Sequence, residues 1–192
     1  GQRGWLLMLD EVQCGTGRTG KWFAHQWAGI KADVMPLAKG LGSGVPIGAV
    51  VAHGAAAEVF QPGNHGTTFG GNPLAMRAGL VTISTMEEDG LLKNAADVGG
   101  WLIETFRREL GALPGVAEVR GQGLMIGVEL DRPCNELVKS ALEAGLVLNV
   151  TADRVIRLLP PLIFTREHAQ RLVDTLVPLV RAFLERSQAQ AA

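Results

Sequence analysis

Trp5-Leu6-Leu7-Met8-Leu9 has no polar position, which predicts a strand covered on both faces, at residues 5–9. Gly15, Gly17 and Gly20 then predict a loop, and residues 23–29 a short helix beside Trp22 that includes Trp27. Further apolar runs predict strands at 34–38 and 47–52, separated by the glycine-rich stretch Lys39-Gly40-Leu41-Gly42-Ser43-Gly44. Short strands alternating with loops and helices predict an α/β layer. Residues 63–73 are dense in turn formers and end in Asn72-Pro73, an N-cap followed by a first helical residue, so a helix is expected over 74–88, stopping near Asp89-Gly90.

A second helix is expected over 91–110, where Leu91, Ala95, Val98, Leu102, Phe106 and Leu110 recur at helical spacing. Gly99-Gly100 in its middle costs about 1 kcal/mol per glycine against alanine, so a bend or a close approach is expected there. From Leu113-Pro114-Gly115 the pattern changes. Strands are expected at 116–120 and 124–130 about Gly121-Gln122-Gly123, a helix at 135–144, and strands at 146–150 and 155–159. A last amphipathic helix is expected over 166–185, capped by Thr165, with a frayed tail at 187–192. Two domains follow from this pattern: residues 1–111, ending in the connecting helix, and an α+β domain over 112–192.

Composition narrows the functional classes. The 192 residues are 47% apolar and 19% charged with a net charge of −1, so nothing points to a nucleic-acid or anionic-membrane partner. No apolar stretch approaches the ~18 residues that span a bilayer. Cys14 and Cys134 follow no C-x-x-C or Cys/His pattern and read as free thiols of a reducing compartment. Gly1 to Gly4 lead straight into the apolar run, and a buried strand needs neighbours on both sides. The chain therefore reads as the C-terminal part of something longer.

The candidate chemistry lies at the ends of the first two strands. Asp10 closes the apolar run, where ligands of open α/β sheets bind, with Glu11 and Gln13 beside it. It either caps a loop or pairs with Arg18, or it holds a proton on a ligand's ring nitrogen. Lys39 is either a solvated loop lysine or, flanked by Leu37-Ala38 and glycines, a desolvated amine able to attack a carbonyl. An acid and an amine so placed suit pyridoxal phosphate (PLP), which needs a carboxylate for its pyridinium and a Schiff-base lysine. Two phosphate loops compete with this reading. Lys-Gly-Leu-Gly-Ser-Gly has the wrong order for a Walker loop. Gly15-Thr16-Gly17-Arg18-Thr19-Gly20 does match G-x-G-x-x-G, but Asp10 and Glu11 sit where a pyrophosphate would approach. His25, Trp27 and Cys14 read as structural.

Leu9-Asp10-Glu11-Val12-Gln13, Gly17-Arg18-Thr19-Gly20, Leu37-Ala38-Lys39-Gly40-Leu41, Pro46-Ile47-Gly48-Ala49 and Thr68-Phe69-Gly70-Gly71-Asn72-Pro73 occur in the order and spacing of a known family. The chain resembles the class III PLP-dependent aminotransferases over essentially its whole length. The resemblance implies the C-terminal half of fold-type I: the end of a large, mainly parallel-sheet domain plus the small C-terminal domain. It also implies roles. Asp10 would pair with the pyridine nitrogen, Gln13 would lie by the ring 3-hydroxyl, and Lys39 would be the Schiff-base lysine. Thr68 would bond the cofactor phosphate of the other subunit of a homodimer. Arg157, in Val155-Ile156-Arg157-Leu158, matches the family's C-terminal arginine, whose fork suits a substrate carboxylate; read alone it is a surface strand arginine. The reaction implied is amino-group exchange between an ω-amino donor and 2-oxoglutarate in cytoplasmic arginine biosynthesis. The donor would be N-acetylornithine, or else ornithine, succinylornithine or 4-aminobutyrate. The family's glycine-rich phosphate cup, stacking aromatic, second substrate arginine and gating glutamate all precede the Leu9-Asp10 strand. This chain is thus expected to hold the lysine without most of the phosphate site, and alone to be catalytically silent.

Overall fold

The computed structural model describes residues 4–189, in two compact units, Gly1–Leu92 and Lys93–Ala192. The first unit is built around β1 (Val34–Leu37) and β2 (Ala49–Ala52), an antiparallel pair in which Val34 faces Ala52 and Leu37 faces Ala49. The apolar run forms no full strand. It makes a single parallel bridge, Met8 to Val34, extended by Leu9 N–H donating to Val34 O (3.0 Å) and Glu11 N–H to Pro36 O (3.2 Å). The first unit's pairing is therefore mixed, with its named pair antiparallel and the 7–11 segment parallel to β1; the resemblance implied the end of a larger, mainly parallel sheet.

The expected burial of residues 5–9 on both faces is also corrected. Trp5 is 74% exposed and Met8 65%. The segment has β1 on one side, and the described residues cover its faces only in part, Leu9 being half-buried. A run of apolar residues reports the environment a strand requires, and these residues supply only part of it. The helix expected at 23–29 contracts to a 3₁₀ turn, Ala24–Trp27. Helix α1 (Pro73–Glu88) begins as predicted, with Asn72 Oδ1 accepting from Ala75 N–H at 3.0 Å.

The second unit is a four-stranded antiparallel sheet, β3 (Val116–Gln122), β4 (Met125–Leu130), β5 (Asn149–Thr151) and β6 (Val155–Leu158), in the order β3-β4-β6-β5. One sheet face carries Val119, Ile126, Val128, Ile156 and Leu158 into a core shared with helix α2 (Leu91–Leu110), helix α3 (Glu136–Glu143) and helix α4 (Arg166–Ala189). Leu102, Phe106, Leu110 and Leu176 are fully buried there, each worth about 1.5–3 kcal/mol against exposure. Helix α2 runs unbroken through Gly99-Gly100, and close packing is the reason for the first glycine. A Cβ on Gly99 would stand 2.1 Å from the carbonyl carbon and oxygen of Gly123. Thr165 Oγ1 accepts from His168 N–H at 3.3 Å, the cap expected for α4. The expected tail is corrected in part: α4 continues to Ala189, and residues 190–192 lie outside those described.

Candidate active site

Backbone pairing brings the acid and the lysine to one sheet end. Asp10 lies at the end of the 7–11 segment, between the two residues bonded to β1, Leu9 and Glu11, and Lys39 follows β1 after Ala38. Two parallel neighbours thus deliver a carboxylate and an amine from their carboxyl ends, where open α/β sheets bind ligands. Asp10 is exposed, and its Oδ1 accepts from Val12 N–H at 2.9 Å, the loop-capping role.

Lys39 opens a 3₁₀ turn, Lys39–Gly42, with φ +45°. A side chain in that left-handed region costs about 1–2 kcal/mol and persists only where its surroundings impose it. Those surroundings are visible on both sides of the turn. Thr16, buried in the loop after Asp10, lies 3.7 Å from where a Gly40 Cβ would stand. Gly79 lets α1 approach, a Cβ there falling 3.8 Å from Leu41 O and 3.4 Å from Ile47 Cδ1. Lys39 itself is exposed, so the crowded, desolvating setting expected for it is not made by the described residues.

Glu11, which sequence reasoning treated as one more polar neighbour, organises the loop. It is 2% exposed. Its carboxylate accepts from Ala24 N–H and His25 N–H, both at 2.9 Å, from the Cys14 thiol at 3.1 Å, and lies 2.9 Å from His25 Nδ1. Burial alone would raise its pKa. The two backbone N–H groups, the thiol and the imidazole outweigh it and hold the carboxyl below its ordinary value. Burial first, then Glu11, pushes the Cys14 thiol up to about 11, an unreactive state. His25 also stacks on Phe23 at 5.7 Å, and Trp27 Nε1–H donates to Thr19 Oγ1 at 3.3 Å. No local signal marks Glu11 for this work, because its partners lie thirteen or fourteen residues on.

Gln13 is half-buried and Thr68 exposed. Among the described residues, the side chains of Gln13, Lys39 and Thr68 make no hydrogen bond or ion pair. Thr67, by contrast, is used locally, its Oγ1 accepting from Gly70 N–H at 3.2 Å. The first unit therefore keeps an amine, an amide and a hydroxyl uncommitted, with a carboxylate on the segment beside the lysine. An amine, an amide and a carboxylate are the types of group that the carbonyl, phenolic oxygen and ring nitrogen of PLP require. A single hydroxyl is a small part of what a phosphate dianion needs.

Arg157 belongs to the second unit. It lies on β6, half-buried, on the sheet face opposite the core. Its Nε lies 3.3 Å from Asn149 Oδ1. With the Asn149 amide turned over, its oxygen accepts from Arg157 Nη2 at 3.0 Å and its nitrogen donates to Arg157 O at 3.3 Å, so both ends are satisfied. The described residues contain no helix long and apolar enough to cross a membrane, and no cluster of three or more metal-ligating side chains.

The sequence matches the class III aminotransferase family over residues 1–180, and the chain belongs to that family. Members of this class use PLP. The chain is 62% identical over 187 residues to acetylornithine aminotransferase 1 of Bordetella bronchiseptica, covering 97% of this chain and 48% of that protein. An acetylornithine aminotransferase of Elizabethkingia anophelis superposes with a TM-score of 0.87 at 29% identity, over 94% of this chain and 47% of that one. The ornithine aminotransferase of Toxoplasma gondii, described with partial occupancy of PLP at its active site, superposes with a TM-score of 0.91 at 34% identity, over 97% and 45%. The chain spans about half the length of the relatives it matches.

Proposed function

We propose that the protein containing this chain is a PLP-dependent aminotransferase exchanging an amino group between N-acetylornithine and 2-oxoglutarate, within cytoplasmic arginine biosynthesis. The observation that carries the reading is the delivery of Asp10 and an uncommitted, left-handed Lys39 from adjacent parallel segments. The 62% identity to an acetylornithine aminotransferase supports the donor. Residues 1–111 then supply the end of the large cofactor domain and its connecting helix, and 112–192 the small domain.

The residues divide the work as follows. Lys39 Nζ would hold the cofactor at its carbonyl carbon, with loss of water, and as a free base would take the proton from the amine-bearing carbon of the donor. Asp10 holds a proton on the ring nitrogen. Gln13 donates its amide to the phenolic oxygen. Thr68 bonds the phosphate held by the second subunit of a homodimer, and Arg157 binds a substrate carboxylate. When bound, PLP supplies a conjugated electron sink that makes the C–H beside the transferred amine acidic. The 192-residue chain by itself is expected to hold PLP weakly, since most phosphate donors lie outside this set.

Borohydride reduction of the full-length, PLP-loaded protein followed by peptide mapping tests the reading. Label is expected on Lys39, and label on a different lysine refutes it. The donor is tested by kcat/KM across N-acetylornithine, ornithine, succinylornithine and 4-aminobutyrate, with N-acetylornithine expected to lead.

A further inference from the structure

We infer that Asn149 is a positioning residue for Arg157: a neutral amide that orients the guanidinium while leaving its charge for a substrate carboxylate. This deepens the proposed role of Arg157 and rests on it.

The argument starts from one row across the second unit's sheet. Arg120 on β3 faces Gly127 on β4, Gly127 faces Arg157 on β6, and Arg157 faces Asn149 on β5. Directly paired residues share a sheet face, so the row carries two arginines with no side chain between them. Their treatment differs. Arg120 Nη1 meets Glu118 Oε2 at 2.7 Å and Glu129 Oε2 at 2.6 Å, and is neutralised twice over. Glu129 also holds Arg154, at 3.1 Å. Arg157 has no carboxylate partner among the described residues; its side chain bonds only to the Asn149 amide.

A half-buried guanidinium stays charged at every physiological pH. Among the described residues it meets no carboxylate, so this unit leaves it open to an external one, and its fork binds such a group well only if its plane is set beforehand. Asn149 can set that plane from both ends: its oxygen takes one guanidinium N–H, and its nitrogen reaches the Arg157 backbone carbonyl. An aspartate there would offer the guanidinium a competing negative charge. The amide is therefore the group that orients without neutralising.

The test uses the full-length, PLP-loaded protein and glutarate, a dicarboxylate lacking the reacting carbonyl. Its Kd is measured alongside KM and kcat for 2-oxoglutarate. Asn149→Ala is expected to weaken glutarate and raise KM by about 3–10-fold, with kcat and PLP loading unchanged. Asn149→Asp is expected to weaken both by about 10–100-fold. In an Arg157→Ala background, Asn149→Ala should add nothing. Asn149 is exposed on an edge strand, so melting temperatures should hold; Asn149→Ser serves as a second truncation if one variant melts early. Should Arg157→Ala leave glutarate binding intact, the carboxylate role of Arg157 falls and this inference with it. Should Arg157→Ala weaken binding while all Asn149 variants stay within about twofold, or should Asn149→Ala act equally with and without Arg157, the positioning role alone is overturned.

Discussion

The two units spend their apolar residues differently. In the second, α2, α3 and α4 cover one sheet face, and Leu102, Phe106, Leu124, Leu130 and Val180 are closed to solvent. In the first, Met35, Leu37, Ala75 and Met86 are buried, but Trp5, Met8, Val50, Phe60, Leu74 and Leu80 stay exposed. The exposed set includes the apolar run that the sequence marked as the most buried strand of all. The second unit thus has a closed core of its own. The first unit carries the reactive groups on segments whose covering the described residues do not provide. Stability and chemistry thus sit in different places, and substitutions should separate them.

The largest effect should come from the first unit and register only in the chemistry. Lys39→Ala in the full-length protein is expected to abolish reductive trapping at that position and to cut kcat by roughly 10²–10⁴-fold, with the melting temperature held, because the side chain is exposed and alanine keeps the Cβ that makes the left-handed backbone costly. A large drop in melting temperature would assign Lys39 to the scaffold instead.

The buried core of the second unit, away from Arg157 and Asn149, should answer in stability alone. Leu102→Ala is expected to cost about 2–5 kcal/mol in urea titrations. Gly99→Ala is expected to cost about 1–3 kcal/mol, because its methyl group would overlap the Gly123 backbone. Phe69→Ser, at an exposed position of the first unit, should change the stability of the 192-residue chain by less than about 0.5 kcal/mol. A Phe69 effect as large as that of Leu102 would erase the contrast.

Glu11 tests whether the first unit has a polar core in place of an apolar one. Its pKa is lowered on folding, so its carboxylate stabilises the folded loop above the ordinary glutamate value of 4.5, and that contribution is lost as pH falls through the lower folded value. Amide exchange at Ala24 and His25 should therefore accelerate at acid pH. Glu11→Gln should abolish this acid dependence and destabilise the loop by about 1–3 kcal/mol at neutral pH.

The smallest effect has the opposite sign. Thr105 is buried in the second unit with a hydroxyl that has no hydrogen-bond partner among the described residues. Thr105→Val, close in shape, is expected to leave stability unchanged or raise it by up to about 1 kcal/mol in thermal unfolding. A clear loss would reveal a partner for the hydroxyl.

Much of this was legible in order of appearance. The α1 cap at Asn72-Pro73, the α2 span, the strand pair about Gly121 and the four-stranded unit's elements followed from periodicity and turn residues, which are local. The mixed first sheet was not legible, because apolar runs record how covered a strand must be and not the direction of its neighbour. Glu11 was missed for the same reason: its donors come from Ala24 and His25, and the loop closure that joins them leaves no repeat in the sequence. The purpose of Gly99 needed Gly123 beside it before close packing could be chosen over a bend.

By itself the sequence determined which elements form and which reactive groups are present, since caps, periodicity and residue chemistry act over a few positions. It supplied Asp10 and the lysine in its glycine-rich turn. Only the tertiary structure decided that their segments run parallel, that Glu11 is enclosed by its loop, and that, among the described residues, one of two arginines in a row meets no carboxylate. Those facts depend on backbone hydrogen bonds between distant segments, which set register and direction, and neither quantity is carried by any single stretch of chain.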